Sequence, residues 1–177
     1  MMIAELQGFI LIGGRSSRMG SDKSQLLIGQ RSFVDRISEA LYGITNGVSL
    51  VGENTFCDAS PLPLIPDLRP HWSALGGIES ALANCRQPWA VIVACDLPFV
   101  TSNFLRSLAS HREGYDAVAP VQRCGRPQPL CAFYSRDTCL QTIDELITHG
   151  ERRPLELLRK VKTNYVDEQS WERHRTS

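Results

Sequence analysis

The sequence predicts an α/β fold: a mostly parallel sheet with helices on both faces, in a single domain spanning residues 1–177. Three observations lead there. Short apolar runs of strand length alternate with segments whose apolar residues recur at helical spacing, the pattern of successive βαβ units. Residues 120–129, with three prolines and one glycine, break that rhythm, so the strand that follows is free to run antiparallel. The 177 residues, 42% of them hydrophobic, contain no repeat, low-complexity tract or interdomain linker and suffice for one core without disulfides.

The elements follow in order. Residues 9–12 (Phe-Ile-Leu-Ile) form a buried strand, and Phe33, Val34, Ile37 and Leu41 mark one face of a helix over 33–41. Residues 48–51 and 62–65 read as strands, and 74–83 as a helix. The run 89–94 (Trp-Ala-Val-Ile-Val-Ala) is apolar throughout, as a strand buried on both faces should be. Thr101 is placed to cap a helix over 103–110. Strands are expected over 117–121 and 130–134. Asp137 is the expected cap of a helix reaching residue 147, with Gly150 ending it. A short helix over 153–160 and a strand over 162–166 complete a Rossmann-like three-layer α/β/α order.

Charge and cysteine content exclude several classes. Nineteen basic and nineteen acidic residues cancel, so neither nucleic acid nor an anionic membrane is an expected partner. None of the six cysteines forms a C-x-x-C pair or has a histidine at metal spacing; Cys95, after an apolar run, reads as a buried small hydrophobe. Structural thiols in a reducing cytosol fit this usage. The opening Met1-Met2-Ile-Ala-Glu5 lacks the regions of a signal peptide and no apolar run approaches membrane-spanning length, so a cytoplasmic protein is expected.

The chemistry concentrates after the first strand. Glycines, serines and three cations (Arg15, Arg18 and Lys23) follow Ile12 with scarcely a hydrophobic side chain. A strand ending in glycines and polar donors brings backbone N–H groups up to a phosphate; a plain connecting turn needs no such cations. The P-loop spacing fails, because the second glycine would fall on Arg18 or Met19. The dinucleotide fingerprint fails as well, since Gly13-Gly14 with Gly20 has the wrong spacing.

In an open parallel sheet, ligands lie beyond the carboxyl ends of the strands, where Asp67 and Asp96 also fall. A carboxylate closing an apolar strand is costly to desolvate unless paired or metal-bound, and Mg²⁺ takes one or two carboxylates with phosphate oxygens and water. Locally, Asp96 suits either such a metal or a cap before the Thr101 helix, and Asp67 suits a cap or turn.

The run Leu11-Ile-Gly-Gly-Arg-Ser-Ser-Arg-Met-Gly-Ser-Asp-Lys23 resembles the signature of nucleotidyltransferases, and within these the molybdenum cofactor guanylyltransferases. The likeness extends over roughly residues 8–166. It implies that Leu11, Ile12, Gly13, Gly14, Ser16, Arg18, Lys23, Asp67 and Asp96 bind GTP, that Arg18, Lys23 and Asp96 are catalytic, and that Asp96 holds Mg²⁺. Cys95-Asp-Leu-Pro-Phe99 and Ser73-Ala-Leu-Gly-Gly-Ile78 are the segments that carry the two aspartate assignments, although Ser73-Ala74 stands where the family has Gly-Pro. Gln128 and Pro129, in a segment ending at Tyr134, and Arg152 and Arg153 resemble residues on the molybdopterin side; a core strand and a solvated helix start are their alternative readings. Within that resemblance the pair Gly13-Gly14, where related cytidylyltransferases usually carry Ala-Gly or Ala-Ala, implies guanine over cytosine. The implied reaction joins GTP to the phosphate of molybdenum-bound molybdopterin, with proteins that deliver molybdopterin or mature molybdoenzymes as implied partners. At its far end the chain reads Asn164-Tyr-Val-Asp-Glu-Gln-Ser and lacks the family's Asn-x-Asn-Thr-Pro-Glu segment, whose asparagines are expected near the second substrate.

Overall fold

A computed structural model describes residues 2–12, 27–53, 60–70 and 72–167. Strand β1 (Leu6–Leu11) lies between β4 (Val48–Val51) and β6 (Trp89–Ala94), parallel to both. β5 (Leu64–Ile65) adds to the outer side of β4. On the other flank β8 (Cys131–Ser135) joins β6 to β7 (Ala117–Pro120), antiparallel to each, and β9 (Thr163–Val166) runs parallel to β7 at the edge. The order β5-β4-β1-β6-β8-β7-β9 therefore has one reversed strand, the one expected after the proline-rich break.

Strand alternation sorts the core into two layers. Ile10, Val91, Val93, Val118 and Phe133 face helices α1 (Phe33–Tyr42) and α3 (Ser102–Ala109). Phe9, Leu11, Ile92, Ala132 and Tyr134 face α2 (Ala74–Asn84), α4 (Arg136–Thr148) and α5 (Pro154–Lys160). The three-layer arrangement is thus present, with β6 buried on both faces as its apolar run required.

Local chemistry sets the helix ends. Ser32 and Asp35 form a reciprocal capping box at α1, and Thr101 accepts from the Phe104 N–H at 3.2 Å to cap α3. Asp137 is not the cap of α4. Ser135 still pairs with Trp89 in the sheet and the helix begins at Arg136 without a loop, which puts Asp137 in the first turn, 2.6 Å from Arg136. Gly150 ends α4 at φ +77, with its N–H on the Ile147 carbonyl and the Glu151 N–H on that of Leu146, the two bonds of a Schellman motif. Gly150→Ala is expected to cost about 1 kcal/mol by forcing a Cβ into the left-handed region, measurable by urea denaturation.

Two other differences have plain causes. The strand expected over 62–65 pairs only at Leu64–Ile65, because Pro61 and Pro63 have no N–H to give the ladder. A two-stranded hairpin, β2 (Leu27–Ile28) and β3 (Arg31–Ser32), turns at Gly29 with φ +67; two-residue strands leave too little periodicity to read.

Candidate active site

The parallel strands β4, β5, β1 and β6 all end at one edge of the sheet. There the Ile12 N–H donates to the Val51 carbonyl at 2.9 Å and the Cys95 N–H to the Leu11 carbonyl at 3.0 Å. β1 is thereby fixed between its neighbours at the point where it runs into residue 13. Leu11 is buried, and a Cβ placed on Gly77 of α2 would lie 3.5 Å from it. Its side chain is part of the floor, which leaves the main chain as the part of Leu11 presented at this edge. Ile12 packs against the α1–α3 layer. Gly13, Gly14, Ser16, Arg18 and Lys23 lie outside the described residues.

Asp67 stands two residues beyond β5 in a loop clamped to α2. The Leu68 N–H donates to Ser80 Oγ at 2.9 Å, and the Arg69 guanidinium grips the buried Glu79 carboxylate with contacts of 2.9 to 3.2 Å. Ser80 and Glu79 are unusual as buried polar residues on a helix, and their partners are in this loop. Asp67 Oδ1 is buried without a hydrogen-bond partner among the described residues. Burial, and then the charge of Glu53, push its carboxyl pKa upward. The β4–β5 register explains the second effect: Glu53 lies two residues past Val51, as Asp67 lies two past its partner Ile65. A desolvated acceptor with no donor of its own suits a hydrogen-bonding ligand better than a capping role.

Asp96 sits in a turn after β6, where the Leu97 N–H returns to the Ala94 carbonyl at 3.2 Å. It is exposed, so the desolvation argument for pairing it does not apply. Thr101 caps α3, so the capping alternative is removed too. Cys95 beside it is half-buried where full burial was expected. What remains is an accessible carboxylate at the end of a central strand, next to β1. No group of three His, Cys, Asp or Glu side chains among the described residues is arranged to enclose a metal.

Because β8 is reversed, its beginning reaches the same edge. The Ala94 N–H donates to the Leu130 carbonyl at 2.8 Å, and the Gln128 N–H to that of Pro120 at 2.9 Å. Gln128 and Pro129 therefore stand beside the Asp96 turn, with the Pro129 carbonyl also accepting the buried Tyr134 hydroxyl at 2.6 Å. The two arginines separate. Arg153 is held by Glu151 at 2.9 Å and lies 3.6 Å from Glu156, and its hydrogen bonds bring the Glu151 carboxyl down to about 2. Arg152 instead lies over the Trp72 ring, 4.3 Å from its centroid, just ahead of α2. Arg69, Glu79, Ser80 and Trp72 escaped the sequence reading; polar residues on an otherwise apolar helix were the available signal for two of them.

Residues 8–165 match the model of the MobA-like NTP transferase domain. A probable molybdenum cofactor guanylyltransferase of Pelotomaculum thermopropionicum is 34% identical over 167 residues, covering 92% of this chain and 79% of its own. Another, of Flavobacterium johnsoniae, is 32% identical over 156 residues, covering 88% and 82%. Among solved structures, molybdopterin-guanine dinucleotide biosynthesis protein A from Archaeoglobus fulgidus shares the fold with a TM-score of 0.78 at 22% identity, over 95% of this chain and 86% of that one. A 2-C-methyl-D-erythritol 4-phosphate cytidylyltransferase from Thermus thermophilus shares it with a TM-score of 0.69 at 12% identity, over 97% and 91%. With the motif run, the strand order and a family match over most of its length in agreement, the chain belongs to the MobA-like NTP transferase family of nucleotidyltransferases.

Proposed function

We propose that this chain transfers GMP from GTP to the phosphate of molybdenum-bound molybdopterin, releasing pyrophosphate. The observation that carries the reading is the meeting of Ile12, Asp67 and Asp96 at one sheet edge, in a chain whose relatives are named for guanylyl transfer. A pterin phosphate oxygen attacks the α-phosphorus of GTP. The new P–O bond forms as the bond to the β-phosphate bridging oxygen breaks, and pyrophosphate leaves with that electron pair. The nucleophile is already ionised at neutral pH, so no general base is needed. The protein's share is positioning and charge neutralisation.

Lys23 and Arg18 screen the triphosphate, the backbone N–H groups of the glycine-rich run around Gly13, Gly14 and Ser16 hold its oxygens, and Asp67 accepts from the nucleoside. Asp96 is the residue to hold Mg²⁺: it is an accessible carboxylate at the end of β6, beside β1, and Mg²⁺ takes one or two carboxylates and draws its other oxygens from phosphate and water. Bound there, the ion supplies charge neutralisation at the α-phosphate. Gln128, Pro129, Arg152 and Arg153 belong to the molybdopterin side in this reading. No helix among the described residues is long and apolar enough to cross a membrane.

The test supplies molybdopterin with GTP, CTP or UTP and follows pyrophosphate and the mass of the dinucleotide. A guanine dinucleotide, formed preferentially from GTP, is expected. Preferential use of CTP would replace guanylyl by cytidylyl transfer; GTP binding without pyrophosphate release would make the chain a binding protein.

A further inference from the structure

We propose that Trp72 is a positioning residue that holds Arg152 toward the anionic end of the acceptor substrate. The proposal rests on the acceptor reading above and adds to it a residue outside every motif in the sequence. Arg152 is exposed, yet its guanidinium lies 4.3 Å from the centroid of the Trp72 ring, and it has no ion pair among the described residues. The contrast with its neighbour is direct, since Arg153 is occupied by Glu151 and Glu156. A stacked but unneutralised guanidinium keeps its hydrogen-bond fork available for a phosphate while giving up much of its rotamer freedom in advance.

The platform is itself fixed. Trp72 packs on the core layer of α2, α4 and α5, and the missing side chain of Gly76 makes room for it, a Cβ there falling 3.2 Å from Trp72 Cβ and Cδ1. Its main-chain N–H donates to the Arg69 carbonyl, but Trp72 Nε1 and Ser73 Oγ are buried without a hydrogen-bond partner among the described residues. Ser73 occupies the N-cap position of α2 but makes no side-chain cap bond, so a hydroxyl donor lies in the chain directly after the stacked ring. Through Trp72, five residues along the chain from Asp67, the Arg152 guanidinium is seated just ahead of α2.

Molybdopterin affinity measured by equilibrium titration in the absence of GTP, and KM for each substrate during turnover, test the role in Trp72→Leu, Trp72→Phe, Arg152→Ala and the Trp72→Leu/Arg152→Ala double variant. Trp72→Leu is expected to weaken molybdopterin binding about five- to tenfold and to raise its KM in step, leaving KM for GTP unchanged. Trp72→Phe, which keeps a ring under the guanidinium, restores most of the affinity. In the Arg152→Ala background Trp72→Leu has little further effect. Unchanged molybdopterin binding in Trp72→Leu, additive losses in the double variant, or equal losses for both substrates overturn the proposal. A wild-type protein that binds molybdopterin but transfers no GMP overturns the acceptor reading alone, because the binding ratios still decide the role of Trp72. A wild-type protein that does not bind molybdopterin ends both.

Discussion

Asp96→Ala is expected to lower kcat at least about a thousandfold while melting within a degree or two of the wild type. Removing one preorganised group that neutralises developing charge costs about 10²–10³ in kcat, and a carboxylate that anchors a metal carries more than one such interaction. The fold is expected to tolerate the change. Asp96 is exposed in a turn whose hydrogen bond is main chain, Leu97 to Ala94, and α3 has its own cap in Thr101. Exposed substitutions away from caps and buried networks usually change stability by no more than about 0.5 kcal/mol. Lys23→Ala is expected to show a comparable loss by removing the cation proposed to screen the leaving pyrophosphate. Pyrophosphate release measured at saturating GTP, beside a thermal melt of each variant, checks both. Near-normal turnover in either variant overturns the assigned mechanism.

The difference between what the sequence disclosed and what it hid follows the range of the interactions involved. Strand β6 was legible to the residue because a strand buried on both faces is apolar throughout, and Thr101 was legible as a cap because capping acts within three residues. The reversal of β8 announced itself through the prolines before it. Asp137 misled because a cap is judged by local spacing, whereas the start of α4 is set by a strand that pairs through Ser135 with residues far off in sequence. The clamp of Arg69 on Glu79, the seat of Trp72 on Gly76 and the stacking of Arg152 join segments that only the tertiary fold brings together. For Asp96 the expected place at the strand end agrees with the structure, and the expected desolvation does not.

At Asp67 the proposed nucleotide site and the stability of the fold are expected to pull in opposite directions. Burial and Glu53 raise its pKa, so the folded protein holds the proton more tightly than the unfolded chain does. The stability that protonation brings is fully present at low pH and is lost as the pH climbs from the ordinary carboxylate range through the raised value; above it, the ionised group weighs against the fold. Its Oδ1 is buried without a hydrogen-bond donor among the described residues, which adds the cost of an unsatisfied acceptor. Asp67→Asn removes the charge while nearly preserving shape. Scanned without ligand at pH 7, the variant is therefore expected to melt above the wild type, with the gap closing as the pH falls below the carboxylate range. Turnover is expected to move the other way. Losing the charged acceptor proposed for the nucleoside would cost about 1.5–3 kcal/mol, so KM for GTP should rise roughly 10- to 150-fold. Saturating GTP should stabilise the wild type far more than the variant, because ligand binding supplies the donor that Oδ1 lacks. A variant that melts below the wild type at pH 7, or that keeps the wild-type KM for GTP, would show that the buried carboxylate serves the fold and not the nucleotide.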